Sequence, residues 1–183
     1  MRTYKILSND QKTLFEGIFS SFSECLEKAT NENVDLSHAN LKHKNLSNIN
    51  LDDVRLSSAD FTGTNLTGAN LSEARLNGAN FTNTALYNTC MAYSDLQHCQ
   101  FNQTSFGATN ITGCNISFSY FSGLSCFSLE FINTSLMNNC TFQNSNGATI
   151  RTSSPPIVVL GLKHTPIVLT SNTIKSNIHA ALA

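Results

Sequence analysis

The sequence predicts an all-β protein built from stacked, repetitive coils, and two features of the chain carry that prediction. A large apolar residue recurs at every fifth position from residue 36 to residue 136, and a mostly small residue stands two positions before it. A period of five fits neither a helix, with 3.6 residues per turn, nor a strand, with a period of two. It requires units that bury their apolar side chains only by stacking on their neighbours.

The two columns keep the same phase throughout this segment. In the apolar column only Cys126 is not bulky, and in the small column Lys44 is the charged exception. The apolar column is Leu36, Leu41, Leu46, Leu51, Leu56, Phe61, Leu66, Leu71, Leu76, Phe81, Leu86, Met91, Leu96, Phe101, Phe106, Ile111, Ile116, Phe121, Cys126, Phe131 and Leu136. The small column includes Ala39, Ala59, Thr64, Ala69, Ala74, Ala79, Thr84, Thr89, Ser94, Cys99, Thr104, Thr109, Cys114 and Ser119.

The repeated unit resembles that of a known family. Residues 69–73 (Ala-Asn-Leu-Ser-Glu) and 79–83 (Ala-Asn-Phe-Thr-Asn) resemble the A(D/N)LXX unit of the pentapeptide-repeat family. The resemblance implies a right-handed quadrilateral β-helix, in which four pentapeptides make one square coil. At a coil spacing of about 4.8 Å, the repeats predict about five coils and a rod about 25 Å long. Residues twenty apart then stack, so we expect a column of rings from Phe61, Phe81, Phe101 and Phe121.

The repeats divide the chain into three predicted parts: an N-terminal cap (residues 1–33), the β-helix (34–142) and a C-terminal linker and β tail (143–183). The cap is predicted to be a hairpin of Thr3–Leu7 and Thr13–Ile18, followed by a short helix that Ser21 and Glu24 begin as a capping box. We expect this cap to cover the open first coil. Lys44 falls in the inward small column, where burial of its charge would be costly. We therefore expect that the first coil is distorted there or that the cap lets the ammonium group reach water.

The C-terminal part begins where the register fails, because Thr141 occupies an apolar slot and Phe142 follows it. Two β-rich runs, 157–162 and 166–170, predict a hairpin, and a third run follows at 174–178. These runs either close the far end of the rod or pair with a second copy. Residues 161–170 and the segment from Tyr4 to Glu16 are similar to the tail and leader of pentapeptide-repeat proteins of tailed bacteriophages.

The composition limits the classes of molecule that the protein is expected to bind. Eleven basic residues stand against twelve acidic ones, which disfavours direct nucleic-acid or membrane binding. No apolar run reaches membrane-spanning length, and the first residues lack a signal-peptide pattern. Three of the six cysteines, Cys99, Cys114 and Cys126, fall in the inward columns, as core residues of a reduced protein. We therefore expect a cytoplasmic protein, in the host cytoplasm if a phage encodes it.

No catalytic, cofactor or metal site is predicted. Outward side chains diverge on a square rod, whereas catalysis needs convergent groups. His38 and His43 are one repeat apart on adjacent faces, and His98 lies three coils beyond His38. The cysteines form no CxxC pair, and neither Asp52 with Asp53 nor Asp60 with Glu73 suits acid–base chemistry. The sequence predicts a non-enzymatic protein without a cofactor.

The resemblance also implies DNA mimicry as an alternative function, since some members of the family present a DNA-like rod and bind type II topoisomerases. Duplex DNA carries one charge per about 1.7 Å, so a rod about 25 Å long requires about fifteen negative charges. Residues 34–141 hold seven acidic and four basic side chains, a net charge of minus three. DNA mimicry is therefore the alternative reading, and a structural component of a virus particle is a third.

The leading prediction is a protein-interaction module, encoded by a phage or a bacterium. Early repeats present Ser, Thr, Asn, Asp and Gly outward, whereas later repeats present large apolar side chains. Such clustering is typical of a contact site for a protein partner or for a second copy as a homodimer. The alternative is that the tail folds back and covers these residues. The predicted partner-binding residues are Tyr93, Phe118, Tyr120, Phe127, Ile132 and Met137.

Overall fold

A computed structural model describes residues 1–143, 147–155, 157–159 and 167–169, excluding the side chains of Leu124, Phe127 and the last two segments. The helix is α1 (Phe22–Asn31). The strands are β1 (Arg2–Leu7), β2 (Thr13–Phe19), β3 (Ala85–Tyr87), β4 (Gln100–Phe101), β5 (Ser105–Gly107), β6 (Tyr120–Ser122), β7 (Cys140–Gln143), β8 (Thr149–Thr152), β9 (Ile157–Val159) and β10 (Ile167–Leu169). Two 3₁₀ helices span Leu124–Ser128 and Phe131–Asn133.

The repeats form a β-rich stack in which parallel bridges join residues one coil apart on four faces. Each bridge joins the residue that precedes the apolar column, which is usually polar, to its equivalent in the next coil. Face 1 runs through Asn40, Asp60, Asn80, Gln100, Tyr120 and Thr141. Face 2 runs through Asn45, Asn65, Ala85 and Ser105; face 3 through Asn50, Asn70, Cys90 and Asn110; face 4 through Arg55, Arg75, Asp95, Asn115 and Leu136.

The interior is the apolar column, and its side chains are buried from Leu36 to Phe131. The predicted phenylalanine stack is confirmed, with ring centroids 4.9 Å apart for Phe61 and Phe81 and 5.0 Å apart for Phe81 and Phe101. It continues through Phe121 to Phe142, whose centroids are 5.1 Å apart. Parallel rings at this spacing gain about 0.5–1.5 kcal/mol per pair beyond their burial.

Small-column hydroxyls and thiols are buried without loss of hydrogen bonding. Most of them donate to the carbonyl of the apolar residue 23 positions earlier, in the preceding coil, as Thr84 Oγ1 does to Phe61 O at 2.7 Å and Cys99 Sγ to Leu76 O at 3.1 Å. Ser94 instead donates to the Met91 carbonyl of its own turn. Thr, Ser and Cys therefore replace Ala here at little cost, because the polar atom keeps a partner.

The N-terminal segment packs on the first coil. The antiparallel β1–β2 hairpin continues into an antiparallel bridge between Ser8 and Ala39, so the first coil's edge is paired. Helix α1 begins at the capping residue Ser21, whose hydroxyl accepts from the Glu24 N–H at 3.1 Å. Lys44 is exposed, with Nζ 4.8 Å from the centroid of the Phe22 ring, so the ammonium reaches water beside the helix.

The C-terminal end differs from the prediction in its register. Face-1 and face-4 bridges step by 21 residues instead of 20 between Asn115 and Leu136 and between Tyr120 and Thr141. The extra residue lies between Phe121 and Leu136, where the two 3₁₀ helices replace regular repeats. The register therefore fails before Leu136, earlier than the Thr141 position predicted. Strand β8, which the sequence did not predict, pairs antiparallel with β7 and extends the face-1 sheet, while β9 and β10 form a second antiparallel pair.

Candidate functional site

A corner turn follows each apolar residue and decides which side chains face solvent. The second residue after the apolar one has a positive φ, as in His38 (64°), Tyr93 (62°) and Phe118 (64°). The N–H of the third residue donates back to the apolar carbonyl, as Ser94 does to Met91 at 3.2 Å. This left-handed position is the one that a type II turn requires, and it points its side chain away from the core.

Four exposed apolar side chains surround face 4 at the C-terminal end, and we call them the C-terminal apolar patch. Tyr93 (68% exposed) and Ile132 (81%) stand at the corner between faces 3 and 4, Leu136 (51%) on face 4, and Phe118 (48%) at the corner between faces 4 and 1. Backbone hydrogen bonds between coils place them together. The N–H of Gly113, one coil after Tyr93, donates to the Asn133 carbonyl at 2.8 Å, and the N–H of Phe118 donates to the Asn138 carbonyl at 2.7 Å.

Two patch residues are held by side-chain contacts. The Tyr93 ring packs over Gly113, where a Cβ would overlap ring atoms. The Phe118 ring stacks on the His98 imidazole in the preceding coil, with 5.0 Å between centroids. Both rings are therefore fixed against the rod, so little side-chain entropy remains to be lost on binding.

The structure corrects one predicted contact residue and adds another. Met137 was predicted to face outward, but it is only 8% exposed, whereas Leu136 was predicted to be buried and is exposed. The extra residue before Leu136 is the reason, because it moves Leu136 into the polar position opposite Asn115 and Met137 into the apolar column. No signal in the period of five reveals this shift, since residues 136 and 137 are both apolar.

The other predicted contact residues lie apart from the patch or outside the described atoms. Tyr120 is half-buried on face 1, in β6 between Gln100 and Thr141. The side chain of Phe127 lies outside the described residues. Tyr87, also exposed, stands at the corner between faces 2 and 3. Of the six predicted residues, Tyr93, Phe118 and Ile132 are thus brought together.

Among the described residues, the charged side chains form no acidic band. Asp60 pairs with Lys42 at 3.0 Å, and although burial opposes its ionisation, hydrogen bonds from Thr62 and Lys42 hold its pKa below the ordinary value. Asp95 accepts from the Gln97 amide at 3.0 Å. In the described part of the chain no group of three His, Cys, Asp or Glu side chains is placed to hold a metal ion.

The six cysteines are free thiols. Cys25, Cys99, Cys114, Cys126 and Cys140 are buried, and Cys90 is half-buried on face 3. Burial raises the pKa of Cys114 to about 11 and that of Cys126 to about 12. Among the described residues, no helix is long and apolar enough to cross a membrane.

The profile of the family described as pentapeptide repeats matches 8 copies, over residues 32–68, 64–102 and 89–123. These segments together span residues 32–123, half of the chain. The chain belongs to the pentapeptide-repeat family. Membership implies a right-handed quadrilateral β-helix, and proteins of this family are generally non-catalytic structural or interaction modules. No curated protein sequence is significantly similar to the chain.

One of the similar solved structures, that of Rfr23, supports the fold. The pentapeptide-repeat protein Rfr23 from the cyanobacterium Cyanothece 51142 has a TM-score of 0.51 and 16% identity, over 67% of this chain and 96% of Rfr23. HetL, involved in heterocyst differentiation regulation in the cyanobacterium Nostoc sp. strain PCC 7120, has 23% identity and a TM-score of 0.34, over 44% of this chain and 35% of HetL. QnrB1, a plasmid-mediated fluoroquinolone resistance protein, has 19% identity and a TM-score of 0.30, over 58% of this chain and 62% of QnrB1. The chain thus spans about a third of the length of HetL.

Proposed function

We propose that this protein is a non-enzymatic interaction module that binds a protein partner, or a second copy of itself, through the C-terminal apolar patch. The observation that carries the proposal is the position of Tyr93, Phe118, Ile132 and Leu136 around one end of face 4, all at least 48% exposed. Earlier positions on the same ladders hold small, polar or charged side chains, such as Ser58, Gly78, Asp53 and Arg75. The patch is therefore local to the C-terminal coils.

The setting that we propose is a phage or bacterial accessory protein acting in the cytoplasm, with the closed quadrilateral rod as a rigid support. Contact sites combine aromatic anchors with low local charge, and the patch has two aromatic rings held in place by Gly113 and His98. DNA mimicry receives less support, because Asp60 pairs with a lysine and face 4 carries Arg55 and Arg75.

The test is capture of binding proteins from a bacterial lysate on the immobilised protein, followed by mass spectrometry. Ile132→Asp and Phe118→Asp place a charge in the patch and are expected to weaken capture by more than about tenfold. Ile18→Asp is the matched control, because Ile18 is 69% exposed on the N-terminal hairpin. Sedimentation of the purified protein, with the same variants, tests for the second copy.

Three results contradict the proposal. The first is a partner that the patch variants retain as well as the wild type and the Ile18→Asp control do. The second is a DNA enzyme that duplex DNA displaces and that high salt releases, which would support the mimicry alternative. The third is a monomer without any captured protein.

A further inference from the structure

A cleft of about 230 Å³ opens on face 3, where the regular coils end. One wall is the segment 108–112, and the other is formed by Ser128, Glu130 and Asn133. Asn110 is the last residue of face 3 with a bridge to a neighbouring coil, because the chain forms two 3₁₀ helices in place of the next strand. The cleft therefore lies along a backbone edge that has no further coil to pair with.

The preceding coil shows how such an edge is filled. The Asn88 N–H donates to the Gly107 carbonyl at 2.8 Å, and the Met91 N–H donates to the Asn110 carbonyl at 2.9 Å. The Asn110 N–H donates back to the Thr89 carbonyl, also at 2.9 Å. The occupant of a face-3 edge is therefore a backbone segment that supplies two carbonyls and one N–H.

One coil later, the same three groups are open along the cleft. They are the Ala108 N–H, the Thr109 carbonyl and the Ile111 N–H, and none of them has a hydrogen-bond partner among the described residues. Ile111 is buried and Thr109 is half-buried, and the backbone groups of such residues are normally paired. The cleft therefore presents the hydrogen-bonding pattern that a backbone segment satisfies in the coil before.

The open edge is short, because the chain itself closes both of its sides. On one side, the Gly113 N–H donates to Asn133 O at 2.8 Å. On the other side, the Phe106 N–H donates to Ser125 Oγ at 3.3 Å. A long added strand needs open groups all along an edge. This edge instead takes a segment of the length of residues 107–110, which fill it in the coil before.

Residues 107–110 also define the shape of the occupant. Its first residue accepts from the Ala108 N–H. Its fourth residue accepts from the Ile111 N–H and donates its own N–H to the Thr109 carbonyl, because the N–H and the carbonyl of one strand residue point to the same side. Its second residue takes the place of Ala108, whose φ is 52°, so glycine suits that position.

The walls of the cleft limit the other two side chains. The third residue of the occupant faces the interior, where Leu129 is buried beside Ile111, so it has to be small. The fourth residue takes the outward direction of Asn110, which is exposed. Glu130 is the one charged side chain that lines the cleft within the described part of the chain, and its carboxylate favours a lysine or an arginine at the fourth position.

We propose that this cleft binds a four-residue segment of another protein, with glycine second, glycine or alanine third, and lysine or arginine fourth. The segment completes the backbone pairing of the last regular coil. The residues outside the described part of this chain include one glycine, Gly161, and the leucine that follows it is too large for the third position. The cleft shares no residue with the C-terminal apolar patch.

The test is an amide ¹H–¹⁵N NMR titration of the full chain with the peptide acetyl-Ala-Gly-Ala-Lys-N-methylamide. We expect saturable shifts of the Ala108 and Ile111 amides. In the free protein, the Ile111 amide is expected to exchange with solvent faster than the Met91 amide, which is hydrogen-bonded to Asn110 O. Equal protection of the two amides would mean that the chain fills the edge itself, and it would overturn the proposal.

Two altered peptides test the backbone pairing. An ester analogue that replaces the lysine N–H with oxygen cannot donate to the Thr109 carbonyl, and it is expected to bind about tenfold more weakly. Alanine in place of the glycine is disfavoured in the left-handed conformation, and this peptide is also expected to bind about tenfold more weakly. If either peptide bound as well as the original, the edge would be merely hydrated or otherwise occupied.

Protein variants test the charge and separate this site from the patch. Glu130→Lys is expected to weaken binding of the lysine peptide by about fivefold and to strengthen binding of the same peptide with glutamate in place of lysine. Phe118→Asp is the matched control and is expected to leave peptide binding unchanged, even if it abolishes capture of a protein partner. A charge reversal without effect on either peptide, or an equal loss in Phe118→Asp, would contradict the proposed site.

Discussion

The phenyl ring of Phe118 lies parallel to the imidazole of His98, with 5.0 Å between centroids and 6° between ring planes. Inside the rod, Phe101 and Phe121 stack in the same way, at 4.9 Å and 9°. Both spacings follow from the distance between coils, which is about 4.8 Å for paired strands. The same geometry thus orders aromatic rings in the core and on the surface, and it holds Phe118 in the apolar patch before any partner binds.

The corrected register predicts opposite effects at two adjacent residues. Met137→Asp is expected to lower the free energy of unfolding by about 3 kcal/mol or more, because it buries a charge without a partner. Leu136→Asp is expected to change it by less than about 1 kcal/mol, because Leu136 is half-exposed. Urea unfolding of both variants measures the two changes in the free energy of unfolding. A larger loss for Leu136→Asp than for Met137→Asp would instead support an uninterrupted period of five.

The packing of Tyr93 on Gly113 predicts a context-dependent glycine substitution. Gly113→Ala and Gly78→Ala both place a side chain at a φ of 71°, which costs about 1 kcal/mol or more. Only at Gly113 does the new Cβ overlap a neighbouring ring, so we expect about 1 kcal/mol of additional destabilisation there.

The double variant Tyr93→Ser, Gly113→Ala tests the cause. Removing the ring should return the cost of Gly113→Ala to that of Gly78→Ala, as a non-additive pair in thermal unfolding. Equal costs for the two single variants would show that the ring moves aside freely.

The hydroxyl ladder predicts that Thr84→Val destabilises the protein despite its similar shape. Valine removes the hydrogen bond to Phe61 O, which costs about 1 kcal/mol. The loss is modest because the same carbonyl still accepts from the Thr64 N–H at 2.9 Å. Thr67→Val, at a half-buried turn position on the outside, is the control and should stay within about 0.5 kcal/mol in urea unfolding.

The buried thiols predict a stability that declines at alkaline pH. Burial raises the pKa of Cys114 and of Cys140 from 9.0 to about 11. Above pH 9 the unfolded chain releases these protons before the folded chain does, so stability is full below pH 9 and falls as the pH rises toward 11. Urea unfolding between pH 8 and pH 11 measures the decline, which Cys114→Ala should reduce. If the loss of stability at alkaline pH is unchanged in Cys114→Ala, the Cys114 thiol is not one of its causes.

The period of five was sufficient to predict the interior of most of the rod. The apolar column from Leu36 to Phe121 is buried as expected, because every inward slot is fixed by its neighbours one coil before and one coil after. The hairpin and helix were also predicted, since the turn residues and the Ser21 capping signal are local. Local patterns of this kind need no knowledge of the rest of the chain.

The contact residues were predicted only in part. Tyr93, Phe118 and Ile132 follow from the outward column, but Leu136 was missed and Met137 was wrong. Strand β8 was also missed, because its pairing with β7 is decided by a long-range contact rather than by a sequence pattern. The Tyr87 and Tyr93 rings were visible in the sequence, but their support on Gly107 and Gly113 requires the coil-to-coil register.

The sequence by itself determined that apolar side chains recur every five residues and therefore stack into coils, since no other regular structure buries them. Only the tertiary structure decided where the stacking ends. One extra residue between Phe121 and Leu136 is absorbed by 3₁₀ helices, and the backbone bridges then resume 21 residues apart. Because Leu136 and Met137 are both apolar, either register buries a large side chain, and the choice depends on backbone hydrogen bonds with the coil before.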